Sequence, residues 1–231
     1  MNTRKFNQFL NQISEFPIPV IDVPISLDTY IPIAISDKNI DLLNFEISSS
    51  LEWEKYIKSF LEDNNAKVAF GGYLEKRNIY DRSDYFKSLA ENEKRNIHLG
   101  IDLWCNVNTK VLAVLDGEIH SFKNNTNYGD YGPTIILKHQ IEEEIFYTLY
   151  GHLSLSSIEN LKVGNTVLQG NVIGLLGSSS VNGDYAPHLH FQIIKDLENN
   201  YGDYPGVSTE KNIEFYSRNC SNPNLLLKLP I

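Results

Sequence analysis

With 231 residues, the chain is long enough for one large domain, or for a domain with a sizeable extension. A content of 42% hydrophobic and 21% charged residues excludes a disordered chain, and no run of about 18 apolar residues is present to span a membrane. The net charge of −9, with no basic stripe, argues against nucleic acid as a partner, because phosphate binding needs clustered Lys and Arg.

The chain begins "MNTRKFNQFLNQISEFPIPV". Phe6, Phe9, Leu10 and Ile13 are spaced as one face of a helix. Asn7, Gln8, Asn11, Gln12, Ser14 and Glu15 interrupt any apolar signal region, so the expected location is the cytoplasm. "PIPVIDVPI" reads as extended, since each proline disfavours helix at the residue before it. "SSLEWEKYIKSFLEDNN" reads as a second helix, with Ser49 and Glu52 as a capping box and Leu51, Ile57, Phe60 and Leu61 as its apolar face. Residues 1–64 are therefore expected to form an N-terminal helical and extended segment that packs on the core, with its relation to any cleft left open.

From about residue 67 the period changes to that of strands. "KVAFGGYL" is a short strand, and "TKVLAVLDGEIHSF" reads as a hairpin around Asp116-Gly117. "GPTIILKHQ" and "EIFYTLYGHLS" read as a second hairpin around the acidic turn Glu142-Glu143-Glu144. "LKVGNTVLQGNVIGLLG" places glycines between short apolar runs. The expected fold is mainly β, a compact antiparallel β core over residues 65–200. The Asn- and Pro-rich end, 201–231, is expected to wrap the surface. Cys105 and Cys220 form no CxxC pair, so a thiolate zinc site is not expected; free thiols suit the expected compartment best, with a disulfide left open.

Two of the six histidines stand one residue apart in "YAPHLHF". On a strand, His188 and His190 face one way and Leu189 and Phe191 the other, toward a core. "IHLGIDLW" carries His98 and Asp102, about 13 Å apart on a straight strand. Gly100 between them allows a bend that brings both to one ion. In "LYGHLSL", Thr148, Tyr150 and His152 alternate onto one face. A catalytic zinc takes three protein ligands and keeps an open position. His98, Asp102 and one histidine of the pair satisfy that, leaving the remaining histidines for proton transfer. His120 and His139 read as structural.

The ordered set "HLGID", "YGHLS" and "PHLHF", with "VLAVLDGEI" and "VGNTVLQGNVIG" between, resembles the lysostaphin/LytM-type zinc metallopeptidases over about residues 95–195. The resemblance implies a β fold of the duplicated hybrid-motif kind, like lipoyl and biotinyl carrier domains. It implies one Zn2+ ion per chain on His98, Asp102 and His190, with His152 and His188 as the catalytic histidines. It implies a metallo-endopeptidase whose partner is a short peptide or muropeptide, glycine-rich or derived from the cell wall. The alternative is a non-catalytic zinc-containing binding or regulatory module of the same fold; retention of all five positions favours the enzyme. Two departures stand out: the loop "SSSVNGDYAP" is longer and carries Asp184 and Tyr185, and Gln192 stands where many members have Glu, a position expected to act no closer than behind a ligand. "GDYGPTIILKH" and "GDYPGV" also resemble a narrower bacterial subgroup found joined to phosphotransferase and aminotransferase modules, which makes a substrate other than peptidoglycan plausible.

Overall fold

In a computed structural model, which describes residues 2–26, 28–84, 86 and 90–230, the chain is mainly β. Helix α1 (Thr3–Gln12) is followed by β1 (Tyr30–Pro32), α2 (Ser50–Asp63) and β2 (Val68–Gly71). Strands β3 (Ile97–His98), β4 (Ile101–Trp104) and β5 (Lys110–Leu112) lead to the long strands β6 (Gly117–Asn125), β7 (Gly132–Ile141) and β8 (Glu144–Gly151). Then come β9 (Thr166–Val167), β10 (Val172–Leu175), β11 (His188–Ile194), β12 (Val207–Ser208), α3 (Ile213–Asn219), β13 (Cys220–Ser221) and α4 (Asn224–Leu227). The main sheet runs in the order β1-β2-β4-β11-β8-β7-β6-β9, with β13 also paired to β11. Its pairings are antiparallel except β1 with β2.

Local chemistry starts the helices. Asn2 caps α1 by accepting from Lys5 N, and Ser49 Oγ caps α2 by accepting from Glu52 N. The reciprocal half of the expected capping box is absent, since the Glu52 carboxylate instead meets Lys55 Nζ at 2.7 Å. The buried positions of α2 are Trp53 and Ile57, whereas Leu51, expected on the apolar face, is exposed. Leu51 sits in the first turn, ahead of the stretch that reaches the core.

β7 and β8 form the expected hairpin, with Ile141 opposite Glu144. The segment around Asp116-Gly117 is not a hairpin. β5 pairs with β10 in a separate two-stranded sheet, while β6 pairs with β7 and β9. The Asp-Gly step turns the chain from one sheet to another rather than back on itself.

The interior is built on both sides of the main sheet. On one side Leu103, Leu189, Phe191, Ile193 and Tyr150 pack with Phe6, Phe9 and Leu10 of α1 and with Leu226 and Leu227 of α4. The Phe6 ring meets Phe146 edge-on at 5.6 Å. The second side buries Trp53 and Ile57 of α2 with Ile35, Tyr80, Trp104 and Tyr185. Strand β11 is consequently buried along its whole length. Cys105 and Cys220 are free and buried.

His139 is fully buried in β7, donating from Nδ1 to the Asp116 carbonyl (2.8 Å) and accepting at Nε2 from the Thr148 hydroxyl (2.7 Å). Burial lowers its pKa to about 4. An unfolded histidine titrates near 6.5, so between about 6.5 and 4 the unfolded chain binds the extra proton and the folded chain does not. The stabilisation from this group is whole above about pH 6.5 and falls by about 3 kcal/mol as pH drops to 4. His139→Gln should flatten the stability profile over that window, as read by urea denaturation at pH 7 and at pH 4.5. An unchanged slope would contradict this.

Candidate metal centre

The register of the main sheet assembles the site. On β11, His190 lies opposite Asp102 of β4 on one side and Gly151 of β8 on the other. Alternation along β11 holds as expected, with Leu189 and Phe191 in the core and His188 and His190 on the opposite face. His98 reaches the same point from a different sheet. β3 pairs with β12, placing His98 opposite Val207, whereas β4 pairs with β2 and β11. The chain changes sheets at Leu99-Gly100, and the two side chains that a straight strand would hold about 13 Å apart meet at 3.2 Å, His98 Nε2 to Asp102 Oδ1. Gly100 does not do this through a left-handed backbone. It provides clearance, since a Cβ there would lie 2.6 Å from the Phe191 carbonyl oxygen and 2.7 Å from His190 Cε1.

Three atoms converge: His98 Nε2, Asp102 Oδ1 and His190 Nδ1, with separations of 2.8 Å between the nitrogens and 3.2 and 3.1 Å to the carboxylate. Their protonation follows from what lies behind them. His98 Nδ1 is 2.9 Å from the Gly72 carbonyl and must donate, which leaves Nε2 as a lone pair. His190 Nε2 is 3.0 Å from Gln192 Oε1. That amide is oriented by its own Nε2, which donates to the Pro205 carbonyl at 3.2 Å and faces Cys220 Sγ at 3.0 Å. His190 therefore donates from Nε2 and leaves a lone pair on Nδ1. Burial, followed by the nearby Arg77 guanidinium, lowers the His98 pKa to about 3. Burial alone would raise the Asp102 carboxyl, but the buried Arg77 guanidinium beside it helps to outweigh that and hold the group well below the usual carboxylate range. Two lone pairs and a carboxylate oxygen thus face one another with no proton to share, which is the donor set of a cation. Tetrahedral zinc sets its ligand atoms roughly 3.3 Å apart, and the set fits that ion with little adjustment.

His188 and His152 stand beside this trio, outside it. His188 donates from Nδ1 to the Ala186 carbonyl (2.8 Å), and its Nε2 is 3.8 Å from Asp102 Oδ1, too far for a hydrogen bond. His152 donates from Nδ1 to the Asn182 carbonyl (2.7 Å). The two rings are 4.2 Å apart, each with Nε2 bare. Burial lowers both pKa values, so both rings are neutral bases. The expected shared face of Thr148, Tyr150 and His152 is not observed. Tyr150 packs on Phe191 in the core at 5.3 Å, while His152 joins His188. His152 has φ +63°, a left-handed conformation uncommon for a residue with a Cβ, and that turn carries it to the opposite face.

Sequence reasoning missed Arg77 and Tyr131. Buried Arg77 donates from Nη1 to buried Asp102 Oδ2 at 2.6 Å and from Nε to partly buried Glu75 Oε2 at 2.8 Å. Its neighbour Lys76 meets Glu210 at the surface instead, and nothing in "EKR" distinguishes the two cations. The one signal is Gly72: at φ +105°, a Cβ would overlap Arg77 Nη2 and crowd His98 Nδ1. The Tyr131 hydroxyl donates to the Tyr204 carbonyl at 3.1 Å and lies 3.5 Å from His190 Nε2. Gln192, expected behind the ligands, stands behind His190. Asp184 and Tyr185, expected to border a cleft, tie the 177–188 loop to the N-terminal half. Asp184 accepts from Ser50 Oγ at 2.6 Å, and Tyr185 lies under the Arg82 guanidinium at 4.2 Å. All five histidine and aspartate side chains line one cavity of about 310 Å3, with Tyr185 and Trp104 in its wall. His120 and His139 lie outside it.

Residues 96–202 match Peptidase family M23. A glycyl-glycine endopeptidase of Staphylococcus capitis is 36% identical over 109 residues, 47% of this chain and 28% of that protein. Lysostaphin of Staphylococcus simulans is 32% identical over 110 residues, 47% of this chain and 20% of that protein. The chain thus spans under a third of the length of these curated relatives. Among solved structures, the catalytic domain of the antimicrobial peptidase lysostaphin from Staphylococcus simulans aligns with 67% of this chain and 94% of that one, at 26% identity and a TM-score of 0.39.

Proposed function

We propose that the protein, whose residues 96–202 match Peptidase family M23, is a zinc metallopeptidase that hydrolyses a bond within a short peptide, glycine-rich or derived from the cell wall. The observation that carries this is the convergence of His98 Nε2, Asp102 Oδ1 and His190 Nδ1, with the other nitrogen of each ring held by the oxygen behind it. In this reading those three residues hold one zinc ion. When bound, zinc supplies Lewis acidity toward the scissile carbonyl and makes water acidic near neutral pH.

The protein's own groups do the rest. The bare Nε2 of His188 or of His152 accepts the proton of the attacking water and, as imidazolium, returns it to the leaving amine. Their Nδ1–H bonds to the Ala186 and Asn182 carbonyls fix the tautomer that this task needs. Arg77 holds Asp102 in place through the oxygen that faces away from the trio. The glycine-rich substrate is suggested by the name of the Staphylococcus capitis relative.

Zinc-loaded protein incubated with a library of muropeptides and short peptides, with the products read by mass spectrometry, tests the reading. Cleavage of at least one member, lost on chelation and restored by zinc, is expected. A zinc-loaded protein that cleaves none of them would point instead to a binding or regulatory module.

A further inference from the structure

The site lies at the bottom of a pocket rather than along a groove. His98, Asp102 and His190 are each 2% exposed, and His152 and His188 each 5%. Among the described residues, every member of the cavity lining that is not buried is either Arg95 or lies between 200 and 216. Among the described residues, the cavity therefore opens on that side alone. The opposite wall is made by Ile35, Trp53, Arg77, Tyr80 and Phe86, all buried and all outside the stretch that matches the peptidase family.

That wall is part of the fold. Strand β2 pairs with β4 beside Asp102, with Gly71 opposite it in register. Arg77 forms the buried ion pair with Asp102. Arg82, 2% exposed at its side chain, donates to the Asp184 carbonyl at 2.6 Å and covers the Tyr185 ring. Lifting the wall would leave buried charges without partners, a strongly unfavourable change. A peptide strand held at both ends in a polymer needs a way in and a way out. A one-mouthed cavity of about 310 Å3, at the low end of the roughly 300–1,000 Å3 range of small-molecule pockets, gives it only a way in.

We infer that this site takes short, free peptides that enter by one end, and excludes the same sequences within an intact cross-linked polymer; the inference rests on the peptidase reading above. The test uses the full zinc-loaded chain with a mixture of free pentapeptides that includes pentaglycine, and the same sequences embedded between long serine-rich tails. The free peptides should be cut, with embedding lowering kcat/KM by about 10²-fold or more, the scale of losing a productive position. Equal cutting of both sets, or preference for the embedded set, would overturn the inference. If neither set is cut, the hydrolytic reading fails separately, and retention by metal-free protein in ultrafiltration decides the size rule. Retention of free peptides alone upholds it, and retention of both sets or of neither overturns it.

Discussion

His190→Ala is expected to lose bound zinc and activity together, whereas His188→Ala keeps its zinc and loses turnover by about 10²–10⁴-fold, the usual cost of removing a proton-transfer group. The two residues are one position apart on β11, yet their surroundings separate them. His190 Nδ1 is 3.1 Å from Asp102 Oδ1 and 2.8 Å from His98 Nε2. His188 stacks on Trp104 and holds its Nε2 3.8 Å from the same carboxylate oxygen. His152→Ala should behave like His188→Ala, since its Nε2 is bare in the same way. Metal content needs only elemental analysis, so the ligand half of the prediction stands apart from any substrate. An empty site in His188→Ala with a loaded one in His190→Ala would reverse the assignment.

Arg77→Met should lower the stability of the metal-free protein by about 3–5 kcal/mol, roughly 6–20 °C in Tm, because it strands the buried Asp102 carboxylate without its cation. Asp102 is 2% exposed and would lose the guanidinium paired with its Oδ2, and Glu75 would lose the same guanidinium. Zinc should narrow the deficit, because a cation at Oδ1 replaces part of the charge lost at Oδ2. Arg77→Lys should fall between the two proteins, since it keeps the charge but cannot serve both carboxylates with one planar fork. A metal-free Arg77→Met protein as stable as the parent would show that Arg77 is not the counter-ion of Asp102.

The part of the site that could be read from the sequence is the part written in local periodicity. Alternation in "HLHF" put two imidazoles on one face of a strand, and the core confirms where Leu189 and Phe191 went. The His98–Asp102 pair was found too, and the chain changes sheets at Leu99-Gly100, between the two. What escaped was set by distant partners. β5 and β6 flank an Asp-Gly pair, yet their strand partners come from β10 and from β7 and β9. Arg77 reaches Asp102 across 25 positions, from a segment with no motif of its own. Tyr131 sits in "GDYG", where the pattern was visible but its contact with His190 was not. His152 left the face that its strand implied because of one left-handed residue, a feature that no side-chain pattern reports.

The most direct measurement of the central claim is an anomalous-difference map at the zinc edge from crystals of the zinc-loaded chain. The account predicts a single peak bridging His98 Nε2, Asp102 Oδ1 and His190 Nδ1, with His152 and His188 beside it and not bound to it. A peak between His152 and His188, or no peak among these five residues in protein shown to carry zinc, would contradict it.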